Sequence, residues 1–230
     1  MNGSNERVAS RAVTLRDLHL TERRKNVDRM FAILIAIQFV AGIVAAFLVS
    51  PYTWAGKEHV LHIHVQIAIF AGAGIAILPI LLAYFEPGKT VTRHVIAASQ
   101  MLMSALLIHL TGGRIETHFH VFGSLAFLAF YLDWPVLITA TVIVAADHFL
   151  RGIFWPESVY GIANPEWWRF LEHAGWVVFE DIFLVWSCIL GQRELAASSL
   201  RQAQVEQLTE QEQLKSAALA MALAEMQAAS

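Results

Sequence analysis

The sequence is short of cysteine and of charge, and each shortage closes off a class of protein. Its single cysteine, Cys188, lies inside an apolar run, which excludes a disulfide within the chain and any CxxC metal or redox motif. Charged residues make up 15% of the 230, against 57% hydrophobic, with a mean hydropathy of +0.52. That composition excludes an ordinary soluble globular domain and reads as an all-α membrane protein. A net charge of −3 gives no reason to expect nucleic acid as a partner. There is no internal repeat, and beyond Gly191 there is neither proline nor glycine to interrupt a helix.

What is present is a series of apolar runs. Residues 1–29 are polar and basic, too long and too acidic for a signal-peptide n-region, and read as a cytoplasmic N-tail. Six spans follow, at about Met30–Ser50, Glu58–Phe85, Thr92–Leu110, Glu116–Tyr131, Pro135–Phe154 and Trp168–Leu190, each near the roughly 20 residues that cross a bilayer. Pro87-Gly88, Gly112-Gly113, Asp133-Trp134-Pro135 and the loop from Pro156 to Pro165 punctuate them. The fourth is the shortest. Residues 30–191 thus form a six-helix transmembrane bundle, and 192–230 a connector or weak coiled coil leading to an output domain not in this sequence. Its seam of Val205, Leu208, Leu219, Ala222 and Met226 is interrupted by Glu212 and Lys215, and suits a homodimer.

Charge gives the orientation. With a cytoplasmic N-terminus, twelve of the 16 basic residues lie on the inner side; the outer loops hold only Lys57, Arg114, Arg151 and Arg169. Both termini are therefore expected in the cytoplasm. Tyr52, Trp54, Trp155, Tyr160, Trp167 and Trp168 would ring the outer interface, and Tyr131 and Trp134 the inner.

This topology sorts the histidines. Eight of the ten, His59, His62, His64, His109, His118, His120, His148 and His173, fall at the outer face on five different helices, leaving His19 and His94 elsewhere. Neutral imidazole is the commonest ligand of first-row transition metals, and bundles build metal sites from side chains on facing helices. The candidate ligands are His59, His62, His109, Glu116, His118, His120, His148 and His173, with His64, Asp147, Glu172, Glu180 and Asp181 as supporting or alternative groups. Helical spacing puts His59, His62 and Gln66 on one stripe, with His64 turned away. Glu116 and His120, at i and i+4, can hold one ion, whereas His118 lies about 200° round from His120. Glu180, two turns below His173, and Asp181 beside it want a cation, a proton or a donor. Asp147 and Glu172 each stand next to a histidine they could orient. Iron or copper, as one ion or two, suits such a set, with zinc or manganese as alternatives; haem b fits less well. A protonation switch on the same histidines is a further alternative.

The runs IETHFHVFGSLAFLAFYLDWPVL, AADHFLRGIFWPESVYG and NPEWWRFLEHAGWVV carry a resemblance. Together, over about His59 to Gly191, they resemble the multi-histidine membrane input region at the N-terminus of some bacterial chemoreceptors, sensor histidine kinases and diguanylate cyclases. There an IE-x-HFH segment, a DW, a histidine closing the fifth helix, an SVY and a W-x4-H element recur in this order. The resemblance implies a sensor of the bacterial cytoplasmic membrane. Its histidine-rich outer end would perceive a gas, a redox state or a metal, and its last helix would pass the signal inward. It favours Glu116, His118, His120, His148 and His173. One departure is Asp147-His148, where those relatives have two adjacent histidines, which leaves the ligand number open. On this reading the fragment itself is not an enzyme, the output being a kinase, cyclase or receptor module. The competing class is a membrane non-haem oxidoreductase of the hydroxylase or desaturase type, whose HxxxH and HxxHH boxes do not occur here.

Overall fold

A computed structural model describes residues 2–55 and 58–228, and nearly all of them are helical. The elements are α1 (Asn2–Val49), β1 (Tyr52–Ala55), β2 (Glu58–Leu61), α2 (Ile63–Phe85), α3 (Thr90–Leu110), α4 (Ile115–Leu128), a 3-10 turn (Ala129–Tyr131), α5 (Trp134–Phe154), α6 (Glu157–Tyr160) and α7 (Arg169–Ala228). Lys57, which the charge count assigns to the outer side, lies outside the described residues, and the side chain of Trp54 is likewise not described.

Five helices, α1, α2, α3, α5 and α7, are long and apolar enough to cross a membrane, which is compatible with a multi-pass membrane protein. α4 is not among them. Its 14 residues rise about 21 Å, because the positive-φ pair Gly112-Gly113 sets its start and Leu132, at φ 50°, turns the chain out of helix before Asp133. The second span also differs from the sequence reading. Residues from Glu58 do not begin a helix: Tyr52–Ala55 pairs antiparallel with Glu58–Leu61, with Trp54 opposite His59, and α2 starts only at Ile63 behind His62 as its N-cap. A helical stripe of His59, His62 and Gln66 therefore does not exist.

The contacts divide the chain into two units. The larger, Glu22–Ile189, is a bundle centred on α3, which packs against α2, α4, α5 and α6. In the most apolar window of α3, 67% of residues are buried, against 17% to 28% in the other four long helices, so α3 is the helix shielded from lipid. Its burial explains its polar content: Gln100 and Ser104 are fully enclosed and can be tolerated only where they find partners.

At the end of this unit where the α2–α3 turn lies, Asp28 of α1 is completely buried and accepts hydrogen bonds from the Gly88 N–H (2.6 Å) and the Tyr131 hydroxyl (2.7 Å). Gly88 has φ 83°, a conformation only glycine adopts cheaply, which is what aims its N–H at the carboxylate. Tyr131 stacks on Phe31, and Asp133 pairs with Arg93 at 2.5 Å and Arg24 at 3.4 Å. One carboxylate thus fastens α1 to the α2–α3 turn and to the end of α4.

The smaller unit joins the residues before 22 to those after 189. Val8, Ala12 and Leu15 bury against Ala203, and Arg11 pairs with Glu206 at 2.7 Å. The bond raises the pKa of Arg11 and lowers that of Glu206. Gln207 donates to the Ser4 hydroxyl. The expected seam of Val205, Leu208, Leu219, Ala222 and Met226 is exposed in the single chain.

Candidate functional site

Three helices of the larger unit each bring one imidazole to a common point. His118 on α4, His148 on α5 and His173 on α7 have ring centres 5.5 Å (118 to 148), 5.3 Å (118 to 173) and 6.0 Å (148 to 173) apart. His118 and His148 are buried and His173 is half-buried. Each ring is tethered in the same way, its Nδ1 facing the backbone carbonyl four residues earlier: Arg114 O at 2.9 Å, Val144 O at 3.1 Å and Arg169 O at 2.9 Å. A carbonyl oxygen only accepts, so each Nδ1 carries a proton, and in the neutral ring Nε2 keeps its lone pair. The Nε2 of His118 is buried and has no hydrogen-bond partner.

Three imidazoles are a donor set of the kind that first-row transition metals take. A metal–nitrogen bond of about 2.0–2.1 Å puts each ring centre about 3.2 Å from the ion, so rings at tetrahedral angles have centres about 5.3 Å apart. As the side chains stand, no three His, Cys, Asp or Glu side chains among the described residues close tightly enough to enclose an ion. The ring spacing follows from the backbone, and with each ring tethered, a closer approach of the three Nε2 atoms requires a small movement of the helices.

Below the rings lies an apolar cavity of about 90 Å³, walled by Val121, Val144 and Val177 and floored by Thr141. Tyr160 covers His173 edge-on at 5.4 Å, and burial pushes its phenol pKa up. Asp147 stands 3.3 Å from His148 Nδ1 and is held by Arg151 through two bonds of 2.7 and 2.5 Å. Arg151 also donates to the Ser158 hydroxyl (2.8 Å), which lies 2.9 Å from His109 Nδ1.

That chain of bonds reaches a second group. His64 and His109 have ring centres 4.8 Å apart, and His62 lies 4.3 Å from His64. So His64 turns toward α3, opposite to the expectation from a helix starting at Glu58. His62 Nδ1 caps α2 by accepting the His64 N–H, and His59 packs edge-on against Tyr52. Close backbone contact positions this group: a Cβ on Gly113 would lie 2.3 Å from the Gly161 nitrogen, so only glycine lets the end of α3 meet α6 and its Ser158.

The remaining sequence candidates are placed elsewhere. His120 faces away from His118, as the 200° offset requires, and both its nitrogens are engaged: Gln38 of α1 donates to Nε2 (2.9 Å) and Nδ1 meets the Ser104 hydroxyl (2.7 Å). Gln38 and Gln100 exchange amide bonds of 3.0 and 2.9 Å, and Ser124 donates to Gln100. Glu116 and Glu172 are exposed, so the structure does not bring Glu116 and His120 together on one ion. Glu180 has a buried, unpartnered oxygen, and Asp181, 7% exposed, is bonded to Thr141. His94 bonds Thr139 at 2.8 Å rather than facing solvent. Sequence reasoning missed Gln38, Gln100, Ser104, Thr141 and Ser158; the signal for the first two is an amide in the middle of an apolar run.

No family model matches the chain, and no solved structure matches it. Transducer protein Htr8 of Halobacterium salinarum is 31% identical over 124 residues, covering 52% of this chain and 19% of that protein. The chain therefore spans about a fifth of the length of the curated relative it matches. The likeness to a transducer protein is consistent with a part in signal transduction.

Proposed function

We propose that this chain is the membrane input domain of a signalling protein, one that takes a transition-metal ion on His118, His148 and His173 and senses a small gas, a redox state or the metal itself. The observation that carries the reading is the common tether: three rings on three helices, all in one tautomer, with three Nε2 lone pairs left for one ligand. A bound ion would supply a Lewis-acidic or redox-active centre. Of the metals that an all-imidazole set suits, iron, copper, zinc and manganese, the absence of thiolate favours none of the soft ions. The cavity beneath admits a molecule of a few atoms and is far below the roughly 300–1,000 Å³ of pockets that hold larger ligands, which speaks against haem.

In this proposal α4 completes a sixth membrane crossing together with its 3-10 turn, the histidines face the periplasmic side of a bacterial cytoplasmic membrane, and both termini are cytoplasmic. The asymmetry of basic residues supports that orientation. His173 stands in the second turn of α7, a helix of 60 residues, so a change at the ring bears on the element that leaves the site. The exposed stripe from Val205 to Met226 supports a homodimer through this helix. Halobacterial Htr8 being a transducer supports a signalling output, whose type lies outside this sequence.

The test is elemental analysis and an optical spectrum of the chain purified with and without air. About one equivalent of iron, copper, zinc or manganese without a Soret band is expected. Metal at background in wild type and variants alike would remove the reading, and a Soret band would replace it with a b-type haem protein.

A further inference from the structure

Beneath the three histidines the structure holds a carboxyl group that the reading above does not use. Thr141 forms the floor of the cavity, and its hydroxyl oxygen lies within hydrogen-bond reach of two groups: the Leu137 carbonyl at 2.9 Å and the Asp181 carboxyl. A threonine hydroxyl has a single proton, and a backbone carbonyl can only accept. Both bonds are complete when Thr141 donates to Leu137 and the proton between Thr141 and Asp181 comes from Asp181.

The surroundings agree. Asp181 is 7% exposed, its second oxygen is buried and unpartnered, and so is one oxygen of Glu180 beside it. Among the described residues no cation pairs with either; Arg151, on the same helix as Thr141, is occupied by Asp147. A charged carboxylate so placed is costly, and a neutral acid is not. The titratable groups nearest along the two helices that meet here are Arg169, Glu172, His173, Glu180 and Cys188 on α7, and Asp147, His148 and Arg151 on α5; His118 of α4 also lines the cavity.

We propose that Asp181 is a neutral carboxylic acid donating to Thr141, and that it is the proton-bearing partner of the three-histidine site: a divalent cation arriving there displaces this proton. The inference rests on the three-histidine reading. The balance is simple. Neutral imidazoles tethered through Nδ1 carry no proton on Nε2, so in that form they release none on binding. The added positive charge favours the carboxylate; one proton leaves Asp181 for the medium, and Thr141 turns its own proton from Leu137 to the new anion.

The experiment uses the full chain in lipid nanodiscs, infrared spectroscopy in the carboxylic-acid carbonyl region, and Zn²⁺ as a redox-inert probe. In the metal-free protein at neutral pH, an acid carbonyl band is expected that Asp181→Asn removes, Glu180→Gln leaves, and Thr141→Val moves to higher frequency by deleting the acceptor. Zn²⁺ should bleach that band and release about one proton per ion to a pH dye, with no release in Asp181→Asn. If no acid band depends on Asp181, the proposal is overturned. If the band is present but unmoved while elemental analysis shows zinc bound, the coupling is overturned and the metal site stands. If zinc binds no better to wild type than to His118→Ala/His173→Ala, the three-histidine reading fails and the coupling with it, while a Thr141-sensitive band would still identify Asp181 as the acid.

Discussion

Replacing Asp28 with alanine should damage this protein more than any other change outside the histidine site. The carboxylate is fully buried and satisfies two donors, the half-buried Gly88 N–H and the buried Tyr131 O–H. Removing it leaves both unpaired, and each orphaned donor costs about 1–3 kcal/mol, giving about 2–6 kcal/mol in all. For a chain of this size that corresponds to a fall of roughly 4–24 °C in thermal midpoint. Tyr131→Phe removes only one donor to the carboxylate and keeps the stacking on Phe31, so about 1.5–3 kcal/mol is expected. Arg29→Ala, exposed on the same helix, should stay within about 0.5 kcal/mol. The assay is thermal unfolding in one detergent at one scan rate, followed by helical circular dichroism. If Asp28→Ala unfolds within a degree or two of Arg29→Ala, the buried carboxylate is not a fastener and the account of that end of the bundle is wrong.

Further expectations concern the site and the smaller unit. Single alanine replacements of His118, His148 or His173 should lower bound metal at least tenfold by elemental analysis, with His94→Ala keeping the wild-type content. His120→Ala should leave metal content alone and lower the thermal midpoint modestly, because the Gln38 amide and the Ser104 hydroxyl each lose one partner while keeping their bonds to Gln100. Gly113→Ala should disturb the packing of α6 on α3, seen as faster hydrogen exchange of the 157–161 amides, since its Cβ would strike backbone rather than a movable side chain. The Arg11–Glu206 pair has a lowered carboxylate pKa, so its contribution is present at neutral pH and is lost as pH falls through that value; Glu206→Gln should abolish the corresponding pH dependence of proteolytic nicking near residues 203–210 and raise nicking at pH 7 to the level wild type shows in acid.

Much of the fold was legible because apolar runs of membrane length are a strong signal, and five of the six expected spans coincide with long apolar helices. The β-hairpin before α2 was not: Glu58–Leu61 carries no alternation strong enough to outweigh the apolar run that follows it, so the helix was extended five residues too far. The convergence of His118, His148 and His173 was legible from the position of each at the same end of the expected bundle. Which histidines serve other purposes was not: His62 caps α2 only because the helix starts at Ile63, and His120 as a partner of the Gln38 amide and His109 as a partner of Ser158 depend on neighbours far away in sequence. Asp28 illustrates the same limit. In sequence it is one acid in a basic tail, and only the turn at Gly88 makes it a buried acceptor.

The tethers on the three imidazoles have a mechanical consequence. Because every ring is tied through Nδ1 to the main chain of its own helix, its free nitrogen behaves as a pointer fixed to that helix, and twisting α4, α5 or α7 about its axis swings the pointer by the same angle. A ligand that drew the three pointers together would set the relative rotation of the helices, and by thermodynamic reciprocity a torque applied to α7 would loosen or tighten its binding.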